Sequence, residues 1–225
     1  MTVAYNTPAL RRISLPDRRD DTMTPSAPSS LLMVRHGQST WNAQKRWQGQ
    51  ADPPLSDFGR HQATVASRAI GSVELIVSSP QIRALETASI IAEHIGVGPV
   101  QTHPDLRERE VGEWSGLTGE EIERDYPGWL DSGRRPPHWE QEDAFTSRVL
   151  GAIDSLVANY NESTMLVVAH GGVILAVEDH LEVREGRIPN LHGRIVHHHH
   201  GTLSAGERLE LIPSDLSTGG TGLRN

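Results

Sequence analysis

The chain contains no cysteine. That absence excludes a disulfide framework, a thiolate nucleophile and any cysteine-ligated metal centre. Long hydrophobic runs are missing as well. No stretch approaches the roughly 18 apolar residues that suggest a membrane-crossing helix, so no membrane partner is expected. Positive charge is scarce, with 21 Lys and Arg against 29 Asp and Glu and a formal net charge of −8. A chain with that balance is not expected to bind nucleic acid, and an anionic ligand must be drawn into a local basic pocket against the overall field. Arg11-Arg12 and Arg18-Arg19 stand near the start, but no apolar segment follows them. A secretory signal is therefore not expected, and a cytoplasmic location is. Neither a Walker-type loop, a Gly-x-Ser-x-Gly elbow nor a His-Glu-x-x-His zinc pattern occurs, and Gly96-Val97-Gly98 is no dinucleotide fingerprint.

What remains is ordinary enough to fold. With 225 residues, 36% of them hydrophobic and 22% charged, the chain can bury one sizeable core. Residues 1–29 mix Pro, Asp, Arg, Ser and Thr without periodicity and read as a disordered extension, in which Met23 is a candidate start. Residues 30–212 read as one domain, and the Gly-rich stretch 213–225 as a flexible tail. Within the domain, Leu31-Leu32-Met33-Val34, Leu75-Ile76-Val77 and Met165-Leu166-Val167-Val168-Ala169 are short apolar runs typical of strands buried on both faces. Between them lie helical patterns at 57–70, from Pro80 with Ser79 as its N-cap, and at about 143–159, where Phe145, Val149, Ala152 and Leu156 recur. Thr118 and Glu121 have the spacing of a capping box. Segments near 194–198 and 208–212 look like a closing hairpin. The alternation predicts an α/β fold, a three-layer α/β/α sandwich with a mostly parallel central sheet.

In such sheets ligands bind beyond the carboxyl ends of the strands. The first run ends in Arg35-His36-Gly37, the second in Ser78-Ser79 with Arg83 one helical turn on, and the third in His170-Gly171-Gly172. One such histidine is commonly a structural core residue, and Arg83 alone reads as a surface arginine. Two imidazoles and two guanidiniums converging on one crevice suit a phosphate or a similar oxyanion instead. The helix start after the second run and the glycines after each histidine add backbone N–H donors. Imidazole is then the available nucleophile, and neighbouring arginines disfavour its cation and keep it neutral.

The blocks Arg35-His36-Gly37-Gln38-Ser39-Thr40-Trp41-Asn42, Gln48-Gly49 with Asp52-Pro53-Pro54-Leu55-Ser56, Arg83-Ala84 with Thr87-Ala88, Leu106-Arg107-Glu108 with Gly112, Trp114 and Gly116, and Ala169-His170-Gly171-Gly172 together resemble the histidine phosphatase superfamily. More narrowly they are similar to its phosphoglycerate mutase-like phosphatases, over residues 31 to about 180. The resemblance implies a phosphoglycerate mutase-like fold and a phosphomonoesterase acting on a small phosphorylated metabolite. It makes His36 the phosphorylated nucleophile. Arg35, Arg83 and His170 are ligands of the transferring phosphoryl group, and Asn42, Ser39, Gln48, Gly49 and Gly171 are substrate-binding neighbours. Glu108 becomes the proton donor, selected over Glu110 and Glu113 by the Leu-Arg-Glu match alone. No metal and no cofactor is implied.

Mutases of the family carry a long Lys/Arg-rich insertion between the acid/base Glu and the second His. Here that interval is short and its basic residues few, Arg124, Arg134, Arg135 and Arg148 among them, which favours a phosphatase over a phosphoglycerate mutase. An inactive binding module is disfavoured because every matched position is intact. A lid is expected over about 118–142, its stretch 126–143 choosing the substrate and its Arg134 and Arg135 placed to meet a carboxylate or second phosphate. His197 to His200 read as a surface strand rather than a metal site, since alternate residues of a strand face opposite sides. A homodimer is compatible with the sequence.

Overall fold

In a computed structural model residues 27–217 are described. The expected N-terminal extension, Met23 included, lies almost wholly outside them, as do residues 218–225. Six strands form one sheet: β1 (Ser29–Arg35), β2 (Leu75–Ser78), β3 (Gln101–Thr102), β4 (Thr164–Ala169), β5 (His192–His199) and β6 (Thr202–Glu210), in the order β3-β2-β4-β1-β5-β6. β3, β2, β4 and β1 run parallel, whereas β5 and β6 are antiparallel additions at one side. The helices are α1 (Thr40–Ala43), α2 (Asp57–Ala66), α3 (Ile82–Ile95), α4 (Gly119–Asp125), α5 (Trp129–Ser132), α6 (Glu142–Asn159) and α7 (Gly171–His180).

The continuous apolar runs follow from two-sided burial. Successive strand residues point to opposite faces. Leu31 and Met33 of β1, with Met165 and Val167 of β4, pack under Phe145, Val149, Ile153 and Val177 of α6 and α7. Leu32, Val34, Leu166 and Val168 face the other way, against Val65, Ala66, Ala84, Ala88 and Ile91 of α2 and α3. The result is the expected three-layer sandwich. A separate cluster of Trp47, Val111, Trp114 and Ile122, with Tyr126, Trp129 and Trp139 against it, forms outside the sheet. Its helix α4 starts with the capping box read from the sequence, Thr118 and Glu121 bonding each other's backbone.

Two local expectations are corrected. The helix expected from Pro80 begins at Ile82, with Gln81 as an N-cap whose side chain makes no capping bond. Ser79 Oγ accepts the Gln81 N–H at 3.3 Å, but its other partner is His170. The helix expected over 57–70 ends at Ala66. Near the other end, Gln62 Nε2 donates to Leu216 O at 2.7 Å and Leu216 lies against the core, while Ser214 and Asp215 are exposed. The histidine run lies on β5 and the turn after it. Nδ1 of His197 sits 3.1 Å from Ser30 Oγ, and the rings of His199 and His200 lie 4.0 Å apart. Among the described residues no group of three or more His, Asp or Glu side chains is arranged to hold a metal ion.

Candidate active site

The sheet order makes β1 and β4 neighbours, with Arg35 opposite Ala169 in register. The chain leaving β1 stays on that ladder, because His36 N donates to Ala169 O at 3.0 Å. His36 and His170 therefore emerge side by side, their rings 5.2 Å apart and at 64°.

His36 is 2% exposed. Its Nδ1 lies 2.6 Å from Gly37 O, a bond that requires the proton on Nδ1 and leaves the lone pair on Nε2. Arg83 Nε donates to that Nε2 at 3.2 Å. Burial, then the positive charges of Arg83 and Arg35, push the His36 pKa well below the ordinary imidazole value of 6.5, outweighing the Gly37 carbonyl. The residue is a neutral imidazole with an aimed, unprotonated nitrogen. His170 is fully buried and its Nε2 lies 2.8 Å from Ser79 Oγ. Burial, Arg83, His36 and Arg35 hold its pKa well below 6.5 as well. Its Nδ1 has no partner among the described residues, and an unsatisfied buried polar atom costs about 1–3 kcal/mol.

Above these rings opens a cavity of about 680 Å³. Its wall includes Arg35, His36, Asn42, Gln48, Gly49, Arg83, Glu108 and Gly171. Two further residues expected in the site stand behind that wall. His170 lies beneath it, and Ser39 acts through others: its Oγ caps α1 by accepting the Asn42 N–H and donates to Gln48 Oε1 at 2.7 Å. Asn42 Oδ1 accepts from Ser39 N at 3.1 Å. With both amide oxygens turned into the protein, Asn42 and Gln48 have their NH₂ groups left to offer. The floor is thus built of donors.

Arg83 is not a free fork. Nη1 donates to Ala51 O at 2.8 Å and Nη2 to Gly49 O at 3.0 Å, leaving one N–H on each terminal nitrogen. Its burial lowers its pKa to about 10, so it stays charged at neutral pH. Gly49 presents its carbonyl to Arg83 through a backbone with φ +52, and a Cβ there would lie 2.7 Å from Val111. Only glycine enters that conformation without strain. Arg35 is anchored by Nη1 donating to Ile188 O at 2.8 Å.

Three acidic side chains crowd residues 108–113, and the geometry separates them. Glu110 Oε1 accepts the Gly112 N–H and Glu113 Oε2 accepts the Tyr126 hydroxyl. Glu108 lines the cavity, Oε1 accepting Arg109 N at 2.9 Å and Oε2 accepting Gly172 N, at the start of α7, at 3.3 Å. Around the rim stand Lys45, Arg46, Arg109, Arg135, Arg184 and Arg187 against one further acid, Glu142. Arg46 is paired with Glu121, Arg109 with Glu142 and Arg184 with Asp179. Arg134, expected beside Arg135 in the site, instead stacks on Trp129 at 4.0 Å and does not line the cavity.

Sequence reasoning missed Asn190 and Gln81. Asn190 is fully buried and its Nδ2 donates to His36 O at 2.8 Å. Gln81 Oε1 accepts the Glu108 N–H at 2.7 Å while its Nε2 donates to Gly49 O. A Pro-Asn pair reads only as a turn and Gln81 only as a helix start, so neither carried a usable signal.

Comparison with known proteins agrees with this geometry. A sequence model of the histidine phosphatase superfamily (branch 1) matches residues 31–204. Glucosyl-3-phosphoglycerate phosphatase of Mycolicibacterium vanbaalenii is 38% identical over 161 residues, covering 65% of this chain and 71% of its own. A metal-independent phosphoserine phosphatase of Arabidopsis thaliana is 31% identical over 192 residues, with 79% and 80% covered. Among solved structures, the mycobacterial glucosyl-3-phosphoglycerate phosphatase in complex with VO3 superimposes with a TM-score of 0.69 at 33% identity, covering 74% of this chain and 92% of that one.

Proposed function

Because the chain belongs to the histidine phosphatase superfamily (branch 1), we propose that it hydrolyses phosphomonoesters, without a metal, through a phosphohistidine on His36 Nε2. The observation that carries this reading is the bond from His36 Nδ1 to Gly37 O, which directs the unprotonated Nε2 toward Arg83. In the first step Nε2 attacks phosphorus, the bond from phosphorus to the ester oxygen breaks, and protonated Glu108 gives its proton to the departing alkoxide. Water then attacks the phosphohistidine, Glu108 takes the water's proton, and the N–P bond breaks to release phosphate and neutral His36. Arg35, Arg83 and the amide donors of Asn42 and Gln48 meet the charge on the phosphoryl oxygens. His170, whose Nδ1 lacks a partner, supplies a further donor beside them. A cytoplasmic location accords with a cysteine-free chain.

The substrate is a small phosphorylated metabolite, and we assign it a second anionic group. Arg135, stacked 4.8 Å from the Trp139 ring on the cavity rim, forms no hydrogen-bonded ion pair among the described residues, since the Glu142 carboxylate whose charge reaches it is bonded to Arg109. The relatives named above act on a phosphoglycerate derivative and on phosphoserine, and both compounds bear a carboxylate.

The test is phosphate release from 3-phosphoglycerate in excess chelator, followed by phosphorus NMR. Wild type should release phosphate and form no 2-phosphoglycerate, and His36→Asn should be inactive. Retained turnover in His36→Asn would refute the nucleophile. For the second anion, Arg135→Ala should raise KM for 3-phosphoglycerate about tenfold while leaving phenyl phosphate unchanged, and Arg134→Ala should alter neither. Equal effects of Arg135→Ala on the two esters would remove the anion subsite.

A further inference from the structure

Glu108 stands on irregular backbone. Residues 107–110, after the short 3-10 turn Pro104–Leu106, belong to no helix or strand. A carboxyl group that must reach a leaving oxygen has to be held to within a fraction of an ångström, so something other than secondary structure must fix this segment.

Arg148, from the second turn of α6, does so with its entire donor set. Its Nη1 donates to Asp105 O at 2.7 Å and to Arg107 O at 2.8 Å. Nη2 donates to Glu108 O at 3.1 Å and to Glu140 Oε2 at 2.9 Å, and Nε to Glu140 Oε1 at 2.7 Å. Five bonds use all five guanidinium N–H groups. Glu140 completes the brace from the other side: Oε2 also accepts Glu110 N at 3.1 Å, and its backbone N donates to Glu110 O at 3.0 Å. The two side chains are only 15% and 17% exposed, and the Phe145 ring lies 4.8 Å from the guanidinium carbon. Neither Arg148 nor Glu140 lines the cavity. The pair grips backbone on both sides of Glu108 and touches nothing that reacts.

We infer that Arg148, braced by Glu140, is the positioning residue for the proton donor: it sets the backbone of 105–110 so that the Glu108 carboxyl faces the leaving oxygen. The inference rests on the proposed role of Glu108. Lysine cannot replace it, since a single ammonium offers three donors and no planar fork.

A brace that only supports the fold would weaken turnover of every ester alike. A brace that positions an acid matters in proportion to how much the leaving group needs a proton. An alkoxide needs one and 2,4-dinitrophenolate does not. The quantity to measure is kcat/KM, which ends at release of the alcohol and so excludes the later attack of water. Arg148→Lys should lower kcat/KM for ethyl phosphate, an alkyl ester without a second anion, at least about tenfold more than for 2,4-dinitrophenyl phosphate, a part of the 10²–10⁴-fold contribution of general acid catalysis. Both esters are assayed on one preparation, so any unfolded fraction cancels from the ratio. Glu140→Gln, which keeps the volume and weakens the brace, should shift the ratio the same way and serves if the arginine variant fails to fold. An unchanged ratio in a folded variant overturns the inference. Glu108→Gln separates the two readings. If it shifts the ratio steeply while the brace variants do not, only the positioning role is lost. If it leaves the ratio flat, the acid assignment fails and the inference fails with it.

Discussion

The two buried imidazoles make stability a function of pH in a calculable way. His36 and His170 are 2% and 0% exposed, and burial followed by the charge of Arg83 pushes both pKa values well below 6.5. Between that lowered value and 6.5 the unfolded chain binds protons that the folded chain does not, so stability rises with pH across the window and is lost as pH falls below 6.5. At pH 5.5 an unfolded imidazole is about tenfold more protonated than neutral, which, with the folded imidazoles still neutral, amounts to about 1.4 kcal/mol of lost stability per histidine relative to pH 7.5, or about 2.7 kcal/mol for the pair. Urea unfolding at the two pH values measures this. The comparison is with the double variant His36→Asn/His170→Asn, in which carboxylates and exposed histidines titrate as before and cancel. Wild type should lose about 2.7 kcal/mol more than the variant on going from pH 7.5 to 5.5. Parallel losses would mean that the folded imidazoles take up protons as readily as unfolded ones. The neutral floor and the free lone pair on Nε2 would then be wrong together. The same neutrality has a kinetic face, because protonation of His36 should set no midpoint near pH 6.5 in kcat/KM.

Two substitutions test the surroundings. A Cβ at position 172 would lie 2.3 Å from Glu108 Oε1, the far end of a flexible side chain, so Gly172→Ala should displace the carboxyl and spare the fold. The expected result is a Tm within a few degrees of wild type and a loss of about 10²-fold in kcat/KM on 3-phosphoglycerate; full activity would show that Glu108 need not occupy that place. Away from the cavity, Glu178 of α7 is fully buried and accepts from Arg194 Nε at 2.6 Å and from Arg208 Nε at 2.8 Å. Glu178→Gln leaves two guanidiniums under-compensated and should cost about 3–5 kcal/mol in urea unfolding at pH 7, and a loss under about 1 kcal/mol would contradict it. Burial raises the Glu178 pKa, but hydrogen bonds from Arg208 and Arg194 outweigh it and the net direction is down. Its contribution is therefore complete above the ordinary glutamate range and disappears as pH falls through the lowered value.

Much of the molecule was legible without coordinates because the signals were local and periodic. Uninterrupted apolar runs at 31–34 and 165–169 meant strands covered on both faces, and Leu31 and Leu32 do face opposite layers. Residues that follow such strands must emerge at the carboxyl edge of the sheet, so Arg35, His36 and the His170 segment were bound to share a rim. The capping box at Thr118 needed only its own four residues. Where a neighbour from elsewhere in the chain competed with a local preference, reading by pattern failed. Ser79 before Pro80 looks like a helix cap, yet the buried imidazole of His170 takes its hydroxyl, and the helix starts later.

Loops have no period, and there tertiary packing alone decided direction. Arg134 and Arg135 are adjacent and chemically identical, but one stacks outside on Trp129 and the other on Trp139 at the cavity rim. Only the Leu-Arg-Glu match set Glu108 apart from Glu110 and Glu113 in the sequence, whereas in the fold Glu108 lines the cavity and its Oε2 accepts the Gly172 N–H. Asn190 reaches His36 from far along the chain, and Arg148 reaches Glu108 from a helix on the opposite side of the lid segment. The sequence by itself determined the layers and which residues stand at the rim, since burial and backbone periodicity are written in neighbouring residues. Which donors, acids and arginines turn inward was decided by contacts between residues distant in the chain, for which no local pattern exists.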